Sequence, residues 1–484
     1  MQTRFSLPRS RDAEESQRRC CQNATRPRHV ARIVRKNAWQ IVLPALVLAP
    51  LASPPGRLTR PNNVGTITPC IQPRSKQVVC SVPSRNLICI VVDRIHAGMV
   101  GAYGNSWIRT RQLDRLACES FLFDQALASS PSIAELYRGY WFGSASPGAA
   151  EAGSSLPQLV GAAGMHTALV TDDAPVAALA TASHFSERVL VDSPAQGRTA
   201  IEAADTQLAR LFAAATCWLE TAPQPFCLWI HAQGMSGDWD APLEFRDRFA
   251  EEEDPEPPRF VTPPDRLLSD DYDPDELLGI VHAYAGQIAL VDLCLGEFCD
   301  AIEQSGLSSN TQLTLLSARG FPLGEHKRVG PCDEPLYNEL VQVPWLMRFP
   351  DGLGKLCRSQ ALVLPQDLPG TLLDWLEIDR GLLGTGRVTS LLDVVRGDRE
   401  LLRDRALLIS RHDRAIRTPG WYLRRPDSGP AELYAKPSDR WEVNEVAKLL
   451  PEVTAGLQDA LTELEQAGEA TLPPLPDLLV SVMD

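Results

Sequence analysis

Charged and polar residues directly follow apolar segments of this sequence, and their side chains are of the types that catalytic and binding sites use. Asp93 and Arg94 follow the apolar residues 87–92, His231 ends a similar segment, and the tetrapeptide Ser-Ala-Arg-Gly occupies 317–320. A carboxylate offers hard oxygen ligands to a divalent cation, an imidazole transfers protons near neutral pH, and a guanidinium binds oxyanions. Asp93 is therefore a candidate metal ligand. The alternative is a carboxylate that caps the next segment or pairs with a neighbouring arginine.

Three further positions have side chains suited to chemistry. Ser129, in "SSPSI" (129–133), has the pattern of a turn or helix N-cap serine before the helical segment that follows. His326 and Lys327 could bind an anion, and the alternative is an ordinary solvated loop. His231 likewise either faces a substrate or is a hydrogen-bonded structural histidine.

The segments that carry these residues alternate between two patterns. Stretches that are apolar throughout predict buried strands, and longer amphipathic stretches between them predict helices, of which 276–306 is the longest. This alternation predicts an α/β protein with a mostly parallel sheet that is covered on both faces. The carboxyl ends of parallel strands share one edge, so Asp93, His231 and 317–320 are expected there together. The predicted strands are 86–93, 166–173, 225–234, 311–320 and 343–350.

The chain divides into three parts that differ in composition and in hydrophobic pattern. Residues 1–80 are rich in Arg and Pro and predict a poorly ordered extension, residues 84–396 predict the α/β core, and 397–484 predict a small α+β subdomain with a terminal helix. The stretch 235–275 is rich in Pro and acidic residues and is expected to run over the surface.

Composition restricts partners and compartment. The 484 residues carry a formal net charge of −14, which argues against general affinity for nucleic acid. None of the 12 cysteines has zinc-site spacing, and unpaired thiols favour a reducing, cytoplasmic compartment. The apolar stretch 39–55 lies behind basic residues, so export is the alternative if it acts as a signal segment. It is too short to span a bilayer, and no integral membrane span is expected.

The order of these segments resembles that of sulfatases in the alkaline-phosphatase superfamily. "NLICIVVDRIHAGMVGAYG" (86–104) and "TRQLDRLA" (110–117) resemble the opening of those enzymes, and the resemblance extends over about residues 85–465. It implies an α/β/α sandwich with a large mixed, mostly parallel sheet and a small C-terminal subdomain. Further matching segments follow in the family's order: 225–242, 284–320, 323–352, 362–378 and 415–447.

The metal motifs of the family are mostly missing. Sulfatases use a divalent cation, usually Ca²⁺, and the first metal aspartate of the family matches Asp93. The second falls on Arg94, and the later Asp-His pair falls on Ala318 and Arg319. A single carboxylate cannot supply the six to eight oxygen ligands that Ca²⁺ takes. The resemblance therefore implies a member that holds no cofactor.

The motif for the formylglycine nucleophile is also incomplete. Its Cys or Ser position falls on Ser129, but the arginine that accompanies it in the family falls on Ile133. The second histidine of the family's strand falls on Ser236, so that only His231 remains there. The chain is identified as a divergent sulfatase that lacks most of the catalytic motifs.

Two arginines stand at ligand positions of the family, and this suggests what has replaced the cation. We expect the guanidinium of Arg94 or Arg319 to occupy the place of the metal and to form a salt bridge with Asp93, because a buried carboxylate without a partner is costly.

Three functions are consistent with the sequence, and whether the protein is an enzyme stays open. The first is a catalytically impaired sulfatase-family protein that acts as a regulatory module or binds a sulfated or other anionic small molecule. Its anion-binding residues would be Arg94, Arg319, His326 and Lys327. The second is an active sulfuric or phosphoric ester hydrolase with a rebuilt centre. The third is a protein-interaction module that uses 235–275 or the N-terminal extension.

Overall fold

A computed structural model of the chain describes residues 85–144, 153–192, 197–384, 388–467 and 472–481. The predicted N-terminal extension, including the apolar stretch 39–55, lies outside these residues. The described part contains fourteen strands: β1 Asn86–Val92, β2 Phe121–Ala126, β3 His166–Thr171, β4 Glu187–Leu190, β5 Phe226–Ala232, β6 Arg266–Leu267, β7 Thr311–Leu316, β8 Arg328–Val329, β9 Trp345–Arg348, β10 Cys357–Val363, β11 Ala406–Ile409, β12 Asp413–Arg417, β13 Trp421–Pro426 and β14 Glu432–Ala435.

Twelve α-helices accompany these strands in the described residues. They are α1 Arg111–Cys118, α2 Ile133–Phe142, α3 Leu156–Ala162, α4 Ala174–Ala177, α5 Gln207–Thr221, α6 Leu243–Asp247, α7 Pro274–Gln304, α8 Asn338–Val341, α9 Asp367–Trp375, α10 Leu392–Arg396, α11 Pro451–Ala467 and α12 Asp477–Val480.

Eight strands form the large sheet, in the order β10-β2-β9-β7-β1-β5-β3-β4. Strand β9 is antiparallel to both neighbours, and every other pair of adjacent strands in this sheet is parallel. The predicted mixed, mostly parallel sheet is confirmed, and each of the five predicted strands is present in it. The sequence analysis did not predict β2, β4 and β10.

The sheet is covered on both faces, as the apolar strands predicted. Alternate residues of β1 point in opposite directions: Ile88 and Ile90 belong to a core cluster with α5 and α7. Leu87 and Cys89 belong to a second cluster with α2, α3 and α9. These two layers around the sheet complete the α/β/α sandwich.

The long helix α7 is a core element. Asp273 caps its first turn by accepting a hydrogen bond from the backbone N–H of Asp275, and Gly306 follows its end with a φ of 74°. Among the described residues it alone has the length and hydropathy of a membrane span, and 72% of its apolar window is buried inside the protein. It thus packs as the central helix of a globular core.

The stretch 235–275 is only partly a surface excursion. Trp239 is fully buried, and its ring contacts those of Tyr284 and Phe321. The buried guanidinium of Arg246 donates a hydrogen bond of 2.7 Å to the carbonyl of Trp239. The expectation that the whole stretch lies on the surface is wrong for this part, because the large apolar residues within it pack against α7 and the loop after β7.

The C-terminal residues form the predicted small subdomain. Strands β11 to β14 make an antiparallel sheet in sequence order, and α11 packs on one face of it. The other face joins residues of the core in a shared apolar cluster. The division at 396/397 stays a prediction.

Candidate functional site

The carboxyl ends of β1 and β5 are joined at the point where Asp93 leaves the sheet. The backbone N–H of Asp93 donates to the carbonyl of Ala232 at 3.0 Å, and that of Met235 donates to the Asp93 carbonyl at 3.1 Å. Gly234 makes this approach possible, because its φ is 55° and a Cβ added there would lie 2.3 Å from the Asp93 carbonyl oxygen. Backbone hydrogen bonds therefore hold the Asp93 main chain in place independently of its side-chain contacts.

The Asp93 carboxylate binds the guanidinium of Arg319 with both oxygens. Arg319 Nε donates to Oδ1 at 3.0 Å, and Nη2 forms a second, short contact with Oδ2. The hydroxyl of Ser236 also donates to Oδ2, at 2.7 Å. Burial alone would raise the pKa of this carboxyl, but the charge and hydrogen bonds of Arg319 lower it to about 2. The expected salt bridge to an arginine is present.

Arg94 does not make that contact. Its backbone has a φ of 63°, and its side chain runs instead to the loop after β8. There Nη1 donates to the Cys332 carbonyl at 2.7 Å and Nη2 pairs with Asp333 Oδ1 at 3.0 Å. Asp333 also lies 3.5 Å from Arg319 Nη1. The two arginines thus meet at Asp333, and only Arg319 forms the salt bridge with Asp93 that was predicted for either of them.

Ser129 lies in the bend between β2 and α2. Its carbonyl accepts a hydrogen bond of 2.9 Å from the backbone N–H of Ile409. The N-cap of α2 is Ser132, so the N-cap alternative for Ser129 is wrong and the turn alternative describes it. Among the described residues, no side chain forms a hydrogen bond with the Ser129 hydroxyl, so no base is in place to activate it as a nucleophile.

His231 is held on both sides of its ring. Nδ1 lies 2.7 Å from the hydroxyl of Tyr137, and Nε2 lies 3.3 Å from Asp173 Oδ2. Trp229 Nε1 donates to the same Tyr137 hydroxyl at 3.3 Å. The imidazole is fully buried, so these contacts correspond to the structural alternative. Tyr137 and Asp173 escaped the sequence analysis, because nothing in their local sequence marks them as partners of a histidine.

His326 and Lys327 each have a carboxylate partner of their own. His326 Nδ1 lies 2.8 Å from Glu339 Oε1, and its ring stacks on Tyr337 with 3.5 Å between the ring centroids. Burial alone would lower the pKa of His326, but Glu339 raises it. The exposed Lys327 ammonium contacts Asp270. Neither residue contacts Arg94 or Arg319, and anion binding by these four residues stays a prediction.

A cavity of about 330 Å³ opens beside Ser236, and its charged lining is acidic. Asp172 accepts hydrogen bonds from the backbone N–H of Gln233 at 2.8 Å and from Gln207 Nε2 at 3.0 Å. Burial raises the pKa of Asp172 to about 6. Asp192 and Asp238 complete the acidic lining, so this cavity repels an anionic ligand.

The residues at the end of β1 do not fit a Ca²⁺ ion. Both oxygens of Asp93 are engaged by Arg319 and Ser236, and the positive charge of Arg319 beside this carboxylate repels a second cation. Within the described residues, no group of three or more His, Cys, Asp or Glu side chains has the arrangement of a metal site. The donor set and its charge are those of an ion pair.

Comparisons with known proteins agree with this architecture. The family model described as Sulfatase matches residues 85–378. An endo-4-O-sulfatase from Bacteroides thetaiotaomicron is 28% identical over 106 residues, and the match spans 22% of this chain but only 19% of that protein.

Solved structures resemble the chain over most of its length. One, in complex with its substrate D-glucosamine-2-N,6-O-disulfate, has a TM-score of 0.65 at 16% identity and covers 79% of this chain and 97% of its own. The phosphonate monoester hydrolase of Agrobacterium radiobacter has a TM-score of 0.63 at 17% identity, with 79% and 95% covered. A 2-O glycosaminoglycan sulfatase has a TM-score of 0.60 at 18% identity, with 78% and 92% covered. At these identities the likeness is one of fold.

Proposed function

Given that the chain belongs to the sulfatase family, we propose that it is a member without sulfuric ester hydrolase activity, and that it acts by binding an anionic small molecule. The family normally works with a metal ion that polarises the ester. A scaffold that keeps the fold but replaces the cation with a protein side chain retains a place for ligands without the means of cleaving them.

The observation that carries this proposal is the bidentate pair between Asp93 and Arg319. A guanidinium satisfies the charge of the buried carboxylate without a metal, and it is fixed further by the Pro131 carbonyl, 2.9 Å from Nη1. Unlike a metal ion, it has no open coordination position at which an ester oxygen could be polarised.

The nucleophile position supports the same conclusion. Nucleophilic catalysis needs a base beside the hydroxyl and a group that orients the base. Ser129 has neither among the described residues, and His231, the remaining histidine of the family's strand, is occupied by Tyr137 and Asp173.

The class of the proposed ligand is inferred from the net charge of the chain and from the ligand of a structural neighbour. A structural neighbour binds a disulfated glucosamine, and we extend that class to this chain as a sulfated or comparably anionic small molecule. The negative net charge of the chain speaks against a polymeric anion such as nucleic acid.

Turnover of an aryl sulfate tests the loss of hydrolysis. The purified full chain is incubated with p-nitrophenyl sulfate in the presence of Ca²⁺ and, separately, of EDTA. We expect release of p-nitrophenol at the rate of the buffer blank in both. Release above the blank that disappears in EDTA would overturn the proposal and favour the active hydrolase.

A further inference from the structure

A second cavity, of about 430 Å³, lies between the edge of the large sheet and the C-terminal sheet. We call it the seam cavity. One wall consists of side chains from β2 and β10, and the other of side chains from β12 and from the loop after β14. None of its lining residues forms a hydrogen bond with Asp93, Arg94 or Arg319. Its charged lining residues are Asp124, Arg358, Arg417, Lys436 and Arg440.

Two of the four cations are neutralised within the protein. Arg358 Nε donates to Asp124 Oδ2 at 3.0 Å, and Lys436 Nζ lies 2.8 Å from Oε1 of the buried Glu442. These pairs leave no charge for a ligand to balance.

The other two cations form no salt bridge among the described residues, although Glu442 and Asp124 lie close enough to act on Arg417 and Arg440 electrostatically. Arg417 donates to the Trp421 carbonyl at 3.1 Å and to Gln125 Oε1 at 3.0 Å, both of which are neutral acceptors. Arg440 Nη1 donates to the Tyr103 carbonyl at 3.0 Å. Burial lowers the pKa of both guanidinium groups, that of Arg417 to about 10. Arg417 is buried and Arg440 is half-buried, and a positive charge that is removed from water without a salt-bridge partner is costly unless an anion joins it.

The remaining lining is polar and suits hydroxyl groups. Gln125, Gln342, Gln360 and Asn338 contribute side-chain amides. These amides bond to one another and to Asp124, and hydroxyl groups of a ligand can replace such partners because amides both donate and accept. The mouth is formed by exposed residues, Arg358 and Gln360 among them, whereas Arg417 and Lys436 lie buried at the floor. The volume lies within the range of cavities that bind small molecules.

We propose that the seam cavity binds a small hydroxylated ring that carries two negative charges as tetrahedral oxyanions, that is, a phosphorylated or sulfated sugar. Arg417 and Arg440 supply the charge, and the amides of the two walls meet the hydroxyl groups. The inference rests on the proposed function for the anionic nature of the ligand, and it places that ligand away from the ion pair at Asp93.

Titration calorimetry on the full chain tests the site. The probes are glucose 6-phosphate, D-glucosamine-2-N,6-O-disulfate, uncharged N-acetylglucosamine, and inorganic phosphate and sulfate alone. We expect at least one sugar anion to bind, N-acetylglucosamine not to bind, and the inorganic ions to bind more weakly than the sugar. Whether the phosphate or the sulfate ester binds more tightly identifies the source of the oxyanion.

Variants locate the bound anion. Arg440→Gln should weaken binding about tenfold, as expected for the loss of a charged hydrogen bond. Asp124→Asn should strengthen binding, because Arg358 then loses its counter-charge and its positive charge becomes available to the ligand. A purely structural role for these residues would not move affinity in opposite directions. Arg248→Gln is the matched control, because this exposed arginine contacts Glu244 and the Phe245 ring on α6 and lies outside the cavity. It should leave affinity unchanged.

Two results would overturn the inference. If none of the anions binds, the seam cavity is not a ligand site, whereas the aryl sulfate assay still decides on hydrolysis. If binding is lost in Arg319→Gln but unchanged in Arg440→Gln and Asp124→Asn, the anion occupies the Asp93 region; the inference then fails and the proposed function stands.

Discussion

At the scale of single residues, Arg319 binds the Asp93 carboxylate by matching two N–H groups to its two oxygens. The arrangement differs from a metal site in direction as well as charge, because a guanidinium donates in one plane whereas Ca²⁺ gathers oxygens from all sides. Ser236 adds a hydroxyl donor to the same carboxylate. The contacts of the Asp93 side chain are thus those of a structural ion pair.

Removal of the Arg319 guanidinium should destabilise the folded protein strongly. Arg319→Met leaves the buried Asp93 carboxylate without its counter-charge, so the free energy of unfolding in urea should fall by about 3–5 kcal/mol. The double variant Asp93→Asn/Arg319→Met should recover part of that loss. Arg94→Met is the matched control and should cost less, because its partner Asp333 is largely exposed and can be hydrated. Equal losses in the two single variants would contradict the assignment.

Asp172 predicts a pH dependence of stability. Because its pKa in the folded protein is raised to about 6, the folded state holds a proton that the unfolded state has already released above about pH 4. The stability contributed by this proton is complete below pH 4 and is lost as the pH rises through 6. The free energy of unfolding of Asp172→Asn should therefore rise relative to that of the wild type as the pH rises, by about 2 kcal/mol at pH 7.5.

The measurement is chemical unfolding of both proteins at several pH values between 4 and 8. The difference between variant and wild type removes the contributions of distant titrating groups, which both proteins share. A difference that stays constant over this range would show that Asp172 titrates at its ordinary pKa when folded.

At the scale of elements, uninterrupted apolar segments made the central strands predictable. Because β1, β5 and β7 are buried on both faces, their apolar residues point to both sides of the sheet, and such segments predict buried strands. β10 escaped prediction because the first half of this edge strand is exposed, and β4 because it is only four residues long. The carboxyl-edge position of Asp93 and Arg319 followed from the central strands alone.

The contacts that give the sites their properties required tertiary structure. Nothing in the sequence around Arg440 or Arg417 indicates that they share a cavity with Asp124, because β2 lies hundreds of residues before β12 and the loop after β14. The resemblance to sulfatases points to the ligand positions of that family, and none of these positions lies in the seam cavity.

At the scale of the whole molecule, the core and the C-terminal sheet share one apolar cluster. Leu127, Leu336 and Leu362 come from the core, and Leu408 and Tyr422 come from the C-terminal sheet. The Tyr422 hydroxyl also donates to the Leu336 carbonyl. Neither part can bury these side chains alone, so we expect them to unfold together.

Leu408→Ala tests this coupling, because it removes buried contacts on the C-terminal side of the shared cluster. It should cost about 2–5 kcal/mol and lower a single melting transition that coincides in near-ultraviolet and far-ultraviolet circular dichroism. Leu401→Ala, at a half-exposed leucine in the preceding loop, should change that transition little. If Leu408→Ala instead split the melt in two and lowered only one part, the C-terminal sheet would be an independent domain. The walls of the seam cavity would then belong to two separately stable bodies. Bound ligand would in that case raise the lower of the two transitions, because unfolding of either body removes one wall of the site.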